Sequence, residues 1–172
     1  MRERKRNRKP GFDYSSSNIY FVTTCTKDKE CFFGSITDGK LLKTDAGGVV
    51  EKQWYWLFKR YWYIKSHAFV LMPNHIHGIL EINPGLFTGL VGTGRDLSLP
   101  ELDSNYKIKS LSELMGAFKT TSSKKIRLLG IENFAWQRSF HDHIIKDEQV
   151  YYQIKNYIKT NPQNWASDAL FY

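Results

Sequence analysis

The sequence has 172 residues, of which 41% are hydrophobic and 15% aromatic, and this is enough for one folded domain with a substantial core. Lysine and arginine number 25 against 17 aspartate and glutamate, and the net charge of +8 favours a polyanionic partner over an acidic small molecule. The net charge alone does not distinguish DNA, RNA and anionic lipid as the partner. No run approaches the roughly 18 apolar residues of a membrane span, so we expect a cytoplasmic protein without a membrane partner. Its two cysteines, Cys25 and Cys31, lack zinc-knuckle spacing and are expected to be reduced packing residues.

The first segment, residues 1–11, is predicted to be a flexible basic arm. It ends in Pro10 and Gly11 before any periodic pattern begins. Residues 12–172 are expected to form a single domain. Because six cations so close together cannot be buried, we expect the arm to contact nucleic-acid phosphates. The six basic side chains are Arg2, Arg4, Lys5, Arg6, Arg8 and Lys9.

The next elements follow from hydrophobic spacing. Residues 18–26 are aromatic and β-branched, which predicts a largely buried strand. After a loop rich in glycine and aspartate, a helix is predicted to begin near Thr44. Residues 62–71 and 75–82 are apolar runs separated by Met72-Pro73-Asn74, which predicts a hairpin. The apolar residues of the predicted helix are Val50, Trp54, Leu57, Phe58 and Tyr61.

The second half begins with residues 83–109, whose glycines and prolines predict a long surface loop. Ser110 followed by Glu113 is a capping-box pattern, and it predicts a helix to about Gly130. Residues 134–145 suit a final strand, and residues 147–161 suit a last helix stopped by Pro162. This order predicts an α+β fold of the ferredoxin-like split βαβ type, an antiparallel sheet with helices on one face and an extra C-terminal helix.

Two histidines at the start of a predicted strand are the first candidates for chemistry. Residues two apart in a strand project from the same face, so His75 and His77 point to one side while Ile76 points to the other. Two imidazoles aimed at one point can share a metal ion. The spacing alone favours a pair of satisfied or half-exposed histidines without a metal, because a metal site needs more than two ligands.

The last predicted helix offers that ligand. Tyr157 and Asn161 stand at i and i+4 and share one stripe, with Gln153 one turn earlier. The core stripe lies about 90° away, so Tyr157 is expected at the border between core and solvent. Tyr152 is expected on the outward face, with Lys155 and Lys159. The core stripe consists of Tyr151, Ile154, Ile158 and the downstream Trp165.

Two segments carry a family resemblance. Met72-Pro73-Asn74-His75-Ile76-His77-Gly78-Ile79-Leu80 and Tyr157-Ile158-Lys159-Thr160-Asn161-Pro162 resemble the HUH motif and the tyrosine helix of single-tyrosine transposases. The resemblance is strongest to the REP-associated tyrosine transposase branch. It implies that His75 and His77 bind Mg²⁺ or Mn²⁺, that Tyr157 is the nucleophile, and that Asn161 occupies the place of a polar metal ligand.

The resemblance also implies an activity. It is metal-dependent cleavage and rejoining of single-stranded DNA with hairpin structure, through a 5′-phosphotyrosine intermediate, in transposition or repeat processing. A phenol with a pKa near 10 attacks phosphorus well only when a cation polarises the phosphate. Relatives exchange the tyrosine helix in a homodimer or act as monomers, and both states stay open. We expect such an enzyme to be cytoplasmic and associated with the nucleoid.

Three other interpretations remain. His141 and His143 form a second pair, and four histidines can build a zinc site. The aromatic run from Trp54 to Tyr63 suits a non-catalytic domain that binds single-stranded nucleic acid. A metal-dependent nuclease would hydrolyse DNA with activated water and without a covalent intermediate. The lone His67 is expected to be an ordinary strand histidine.

Overall fold

The architecture rests on a four-stranded antiparallel sheet with the spatial order β4-β5-β1-β6. The computed structural model describes residues 9–87 and 107–170. The strands in this part of the chain are β1 (Asn18–Cys25), β2 (Gly34–Thr37), β3 (Lys40–Lys43), β4 (Ile64–Leu71), β5 (His75–Ile82) and β6 (His141–Ile145). The α-helices are α1 (Asp45–Arg60), α2 (Leu111–Arg127) and α3 (Glu148–Thr160).

The predicted split βαβ arrangement is confirmed. Strands β1 and β5 lie in the middle of the sheet, and β4 and β6 form its edges. Helices α1 and α2 pack together on one face and α3 packs on the other. The predicted caps are present, because Thr44 accepts from the backbone N–H of Gly47 and Ser110 forms a capping box with Glu113.

One hairpin was not predicted. The segment between the first strand and the first helix, expected to be a loop, contains the small antiparallel pair β2–β3. Asp38 and Gly39 join its strands with φ values of 51° and 70°. Two successive residues with positive φ are typical of a tight hairpin turn that favours Asp-Gly. The Asp38-Gly39 dipeptide therefore indicates this hairpin in the sequence.

Three predicted boundaries need correction. The strand expected over residues 134–145 is only β6, because its aromatic residues turn into the core and pack on Phe33 and Phe118. The preceding residues join the end of β1 only through a single bridge between Thr26 and Trp136. Helix α2 ends at Arg127, before Gly130. Helix α3 does end before Pro162, but the chain continues as a 3₁₀ helix over Asn161–Ser167, because proline fits the first turn of a helix.

Part of the expected long loop also has structure. Pro84–Phe87 forms a 3₁₀ helix, and residues 88–106 lie outside the described residues. Most of the predicted basic arm, residues 1–8, likewise lies outside them. Both cysteines are free, with Cys25 buried and Cys31 exposed. Within the two described ranges, no helix has the length and apolar character needed to cross a bilayer.

The two faces of the sheet have separate cores. Ile76, Leu80 and Ile82 of β5 pack toward α1 and α2, and Ile76 thus lies on the side opposite to the histidines, as predicted. Ile79 lies on the opposite face and packs with Ile158 of α3. The larger core has a close fit at Gly78, where the buried ring of Trp54 occupies the space that a side chain would fill.

We expect Gly78→Ala to destabilise the protein by about 1–3 kcal/mol. A Cβ at this position would lie 2.6 Å from Trp54 Cζ2, and Trp54 cannot easily shift because its indole N–H donates to Ser66 Oγ at 3.1 Å. Gly48→Ala is the matched control. Its Cβ meets open space in α1, so we expect a gain of up to about 1 kcal/mol. Urea unfolding measures both, and equal stability of Gly78→Ala and the wild type would contradict the proposed packing.

Candidate active site

His75 and His77 meet at one point on the α3 face of the sheet. Their Nε2 atoms are 3.1 Å apart, and both side chains are buried. The register pairs His75 with Cys25 and His77 with Thr23, so β1 supports the two histidines from the side. The strand period of two produces this shared orientation, as predicted.

The outer nitrogen of each ring has its own partner. His75 Nδ1 lies 2.7 Å from Asn74 Oδ1, and His77 Nδ1 lies 2.7 Å from Thr23 Oγ1. Asn74 Nδ2 donates to the carbonyl oxygens of Lys29 and Leu170, so its Oδ1 accepts from His75. The Nε2 atom of His75 therefore carries a lone pair, and hydrogen-bonded outer nitrogens are typical of histidines that bind metal.

Burial determines the charge of this pair. It lowers the pKa of His75 to about 4, and it lowers the pKa of His77 to about 3 with help from the neighbouring His75. Both imidazoles are therefore neutral at pH 7. Neutral imidazole is the form that binds a cation without first releasing a proton.

Tyr157 reaches the same point from α3. Its hydroxyl lies 3.1 Å from His77 Nε2, and its side chain is 44% exposed. Its ring makes a T-shaped contact with Phe21, which stacks on His77. Burial raises the pKa of Tyr157, the negative charge of Asp168 raises it further, and a hydrogen bond with Asn161 opposes both effects.

The two other tyrosines of α3 lie elsewhere. The Tyr151 hydroxyl is 3.0 Å from His67 Nδ1, and His67 Nε2 is 2.8 Å from a Glu81 carboxylate oxygen. Tyr152 is 58% exposed. The helical phase thus places the Tyr157 hydroxyl away from those of Tyr151 and Tyr152. His67 makes its polar contacts with Tyr151 and Glu81 and is not part of the His75–His77 pair.

Asn161 is buried beside the hydroxyl of Tyr157. It is 1% exposed, and its Nδ2 donates to Asp168 Oδ2 at 2.9 Å. Its Oδ1 has no hydrogen-bond partner. A buried amide oxygen without a partner is costly, and a cation would satisfy it.

Asp168 is the residue that sequence reasoning missed. Ligand atoms of His75, His77 and Asp168 all lie within 4.8 Å of one another, and this is the only such cluster of potential ligands in the described part of the chain. Asp168 follows the 3₁₀ helix over Asn161–Ser167 and belongs to no periodic pattern. Its only signal in the sequence was an acidic side chain shortly after the tyrosine helix.

These residues fit a divalent cation. Adjacent ligands of an octahedral ion at about 2.1 Å are about 3.0 Å apart, and the two Nε2 atoms are 3.1 Å apart. Imidazole nitrogen, amide oxygen and carboxylate oxygen together form a donor set for divalent ions such as Mn²⁺. The site can therefore hold a metal next to a half-exposed phenol.

The second histidine pair does not join the cluster. His141 and His143 are exposed on β6, across β1 from the buried pair. His141 pairs with Thr23, so it shares the α3 face with His77. The described residues therefore do not form a four-histidine zinc site. Of the predicted arm residues, only Lys9 is described, and it is exposed.

Comparisons with known proteins support the fold. No protein-family model matches the chain. A Haemophilus influenzae protein that is described as uncharacterized is 32% identical over 160 residues, which are 93% of this chain and 88% of that protein. The structure is similar to that of a REP-associated tyrosine transposase bound to a REP hairpin, with a TM-score of 0.56 and 19% identity over 95% of this chain and 74% of the other. At this identity the likeness shows a shared fold.

We expect the metal-free protein to lose stability as the pH falls from 7 to 5. The unfolded histidines take up protons near pH 6.5, whereas the folded ones resist protonation down to about 4 and about 3. The free energy of unfolding should therefore decrease by roughly 2–4 kcal/mol over this range. Chemical denaturation in EDTA measures it. His77→Gln should remove about half of the decrease, and the exposed His143→Gln serves as the control. An unchanged pH dependence in His77→Gln would refute this account.

Proposed function

We propose that this chain, which belongs to one family with the Haemophilus influenzae protein and has a fold like that of single-tyrosine HUH transposases, cleaves and rejoins single-stranded DNA with Tyr157 as its nucleophile. His75, His77 and Asn161 would hold Mg²⁺ or Mn²⁺. The observation that carries the proposal is the 3.1 Å distance between the Tyr157 hydroxyl and His77 Nε2. A partly exposed phenol is thus fixed at a site suited to a cation.

The proposed reaction exchanges one phosphodiester for another. The Tyr157 oxygen attacks phosphorus, a phosphotyrosine bond forms, and the bond to the 3′-oxygen of the preceding nucleotide breaks. The phenol loses its proton, and the departing 3′-oxygen gains one. A bound divalent cation would polarise the phosphate and offset its charge. Because the new 3′-hydroxyl can attack the phosphotyrosine, the strand can be rejoined without ATP.

The surface next to the tyrosine suits a single strand. Phe21 is half-buried and lies beside Tyr157, and His141 and His143 are exposed on the neighbouring strand. Phe21 and His143 are directly paired, so their side chains share one face. Unpaired bases can stack on such rings, whereas a paired duplex conceals its bases. The net charge of +8 adds attraction for phosphates.

The proposed substrate has a hairpin. The structurally similar transposase is bound to a REP hairpin, and we extend that preference to this chain. Tyr157 reaches His77 of its own chain. One chain therefore carries both the proposed nucleophile and the histidines, and the proposed chemistry does not require a homodimer that exchanges tyrosine helices.

We expect Tyr157→Phe to abolish covalent adduct formation with a labelled single-stranded hairpin in Mg²⁺ or Mn²⁺. The change removes the attacking oxygen, so cleavage should decrease on the order of 10³-fold or more, while folding and DNA binding persist. Denaturing electrophoresis detects the adduct and mass spectrometry locates it. Tyr152→Phe is the matched control, because it removes an exposed hydroxyl from the same helix.

Other outcomes identify the alternatives. A nucleotide attached to Tyr151 or Tyr152 would overturn the assignment of the nucleophile. Cleavage by the wild type without any adduct would indicate a metal-dependent nuclease. DNA binding without cleavage in either metal would indicate a non-catalytic binding domain.

We also expect the basic arm to contribute affinity for DNA. Deleting residues 2–9 removes six cations. The slope of log affinity against log salt should then flatten by up to about 4 for single-stranded DNA, because each phosphate contact releases counterions. Fluorescence anisotropy over a salt series measures the slope. An unchanged slope would mean that the arm makes no phosphate contacts.

A further inference from the structure

Resting on the proposed function, we infer that Asp168 is a further ligand of the same cation and that the C-terminal 3₁₀ segment delivers it to the histidines. A carboxylate oxygen of Asp168 and ring nitrogens of His75 and His77 lie within 4.8 Å of one another. Small side-chain adjustments can bring three donors at this separation around one ion. The proposed site then has a carboxylate ligand as well as the two imidazoles and the Asn161 amide.

Two hydrogen bonds fix the orientation of the carboxylate. The backbone N–H of Leu170 donates to Asp168 Oδ1 at 2.7 Å, and Asn161 Nδ2 donates to Oδ2 at 2.9 Å. Burial raises the pKa of Asp168, whereas these two hydrogen bonds and the electrostatic effect of His75 and His77 lower it, and the net pKa is lowered. The group is ionised at neutral pH. An ionised carboxylate has about four lone-pair sites, so both oxygens still have capacity for a cation.

The segment that carries Asp168 is attached to the histidine turn. Trp165 is buried, and its ring lies 5.9 Å from that of His75. Asn74 Nδ2 donates to the carbonyl oxygen of Leu170, while Asn74 Oδ1 accepts from His75. The side-chain amide of Asn74 therefore orients the His75 ring and also anchors Leu170, two residues after Asp168. Asp168 is placed by the same contacts that orient His75.

Charge favours the carboxylate as a ligand. The two imidazoles and the Asn161 amide are neutral, and a divalent cation taken from water gains little from neutral ligands alone. Asp168 adds one negative charge and a hard oxygen, which Mg²⁺ and Mn²⁺ prefer. The buried Asn161 Oδ1, which has no hydrogen-bond partner, lies next to this carboxylate and can serve the same ion. Mn²⁺ is the appropriate probe because it accepts imidazole as well as oxygen.

The first test is Mn²⁺ binding, measured by the loss of the free-ion EPR signal and independent of DNA cleavage. We expect Asp168→Asn to weaken binding by about tenfold or more and His75→Ala to abolish it. Glu132→Gln is the matched control, because it removes one exposed negative charge. Unfolding of each variant in EDTA checks that it is folded.

The second test exchanges the ligand type. Asp168→Cys places a thiolate where the carboxylate stands, and a thiolate favours softer metals. With Cd²⁺ this variant should show an ultraviolet thiolate-to-metal band in excess of any band that the wild type shows. Because the wild type contains the same Cys25 and Cys31, it is the background control. If the side chain at position 168 does not reach the metal, the variant shows no band beyond that of the wild type, and this result in a folded variant would refute the inference.

The results separate this inference from the proposed function. If Asp168→Asn binds Mn²⁺ within twofold of the wild type while His75→Ala does not bind, Asp168 is not a ligand and the histidine site stands. If the wild type itself binds no Mn²⁺, the inference and the metal-dependent function both fail. Weakened binding in Asp168→Asn with normal binding in Glu132→Gln supports the inference.

Discussion

The burial of two imidazoles side by side in a central strand is the constraint on which the rest of the site depends. Buried polar nitrogens must find partners, and the outer nitrogens of His75 and His77 find them in Asn74 and Thr23. The inner nitrogens are then left facing one another. Because burial keeps both rings neutral, the strand presents two preoriented, uncharged imidazole rings to whatever approaches from the α3 side.

The apolar face of the same strand maintains that orientation. A shift of register by one residue would turn the histidines toward α1 and expose the core side chains. Trp54 opposes such a shift, because its ring fills the space above Gly78, between Ile76 and Leu80 in the sequence. Any other residue of β5 has a side chain that, at this position, would occupy the space of the Trp54 ring. The core on one side of the sheet thus fixes the orientation of the two histidines on the other.

Local signals in the sequence were sufficient for most elements. The capping box at Ser110 and the turn at Met72-Pro73-Asn74 involve residues close in sequence, and both are present. The aromatic stretch at 134–140 was predicted as strand because hydrophobic spacing does not distinguish pairing from core packing. Asp168 carries no local signal at all. Its position depends on contacts such as that between Asn74 and Leu170, which are 96 residues apart, and such contacts exist only after α3 has crossed the sheet and the chain has turned back.

In the proposed site, electrostatics would link metal binding to activation of Tyr157. Without a cation, Asp168 contributes a negative charge beside neutral imidazoles, and this charge helps to raise the pKa of Tyr157. The same charge repels a DNA phosphate. With a divalent cation bound in the proposed site, the net local charge becomes positive, so the phosphate is attracted and the phenolate is favoured. The carboxylate that hinders the tyrosine in the metal-free protein is, in the proposed site, the ligand that helps to retain the cation. Under the proposed mechanism the phenol is therefore activated only when the cation is present.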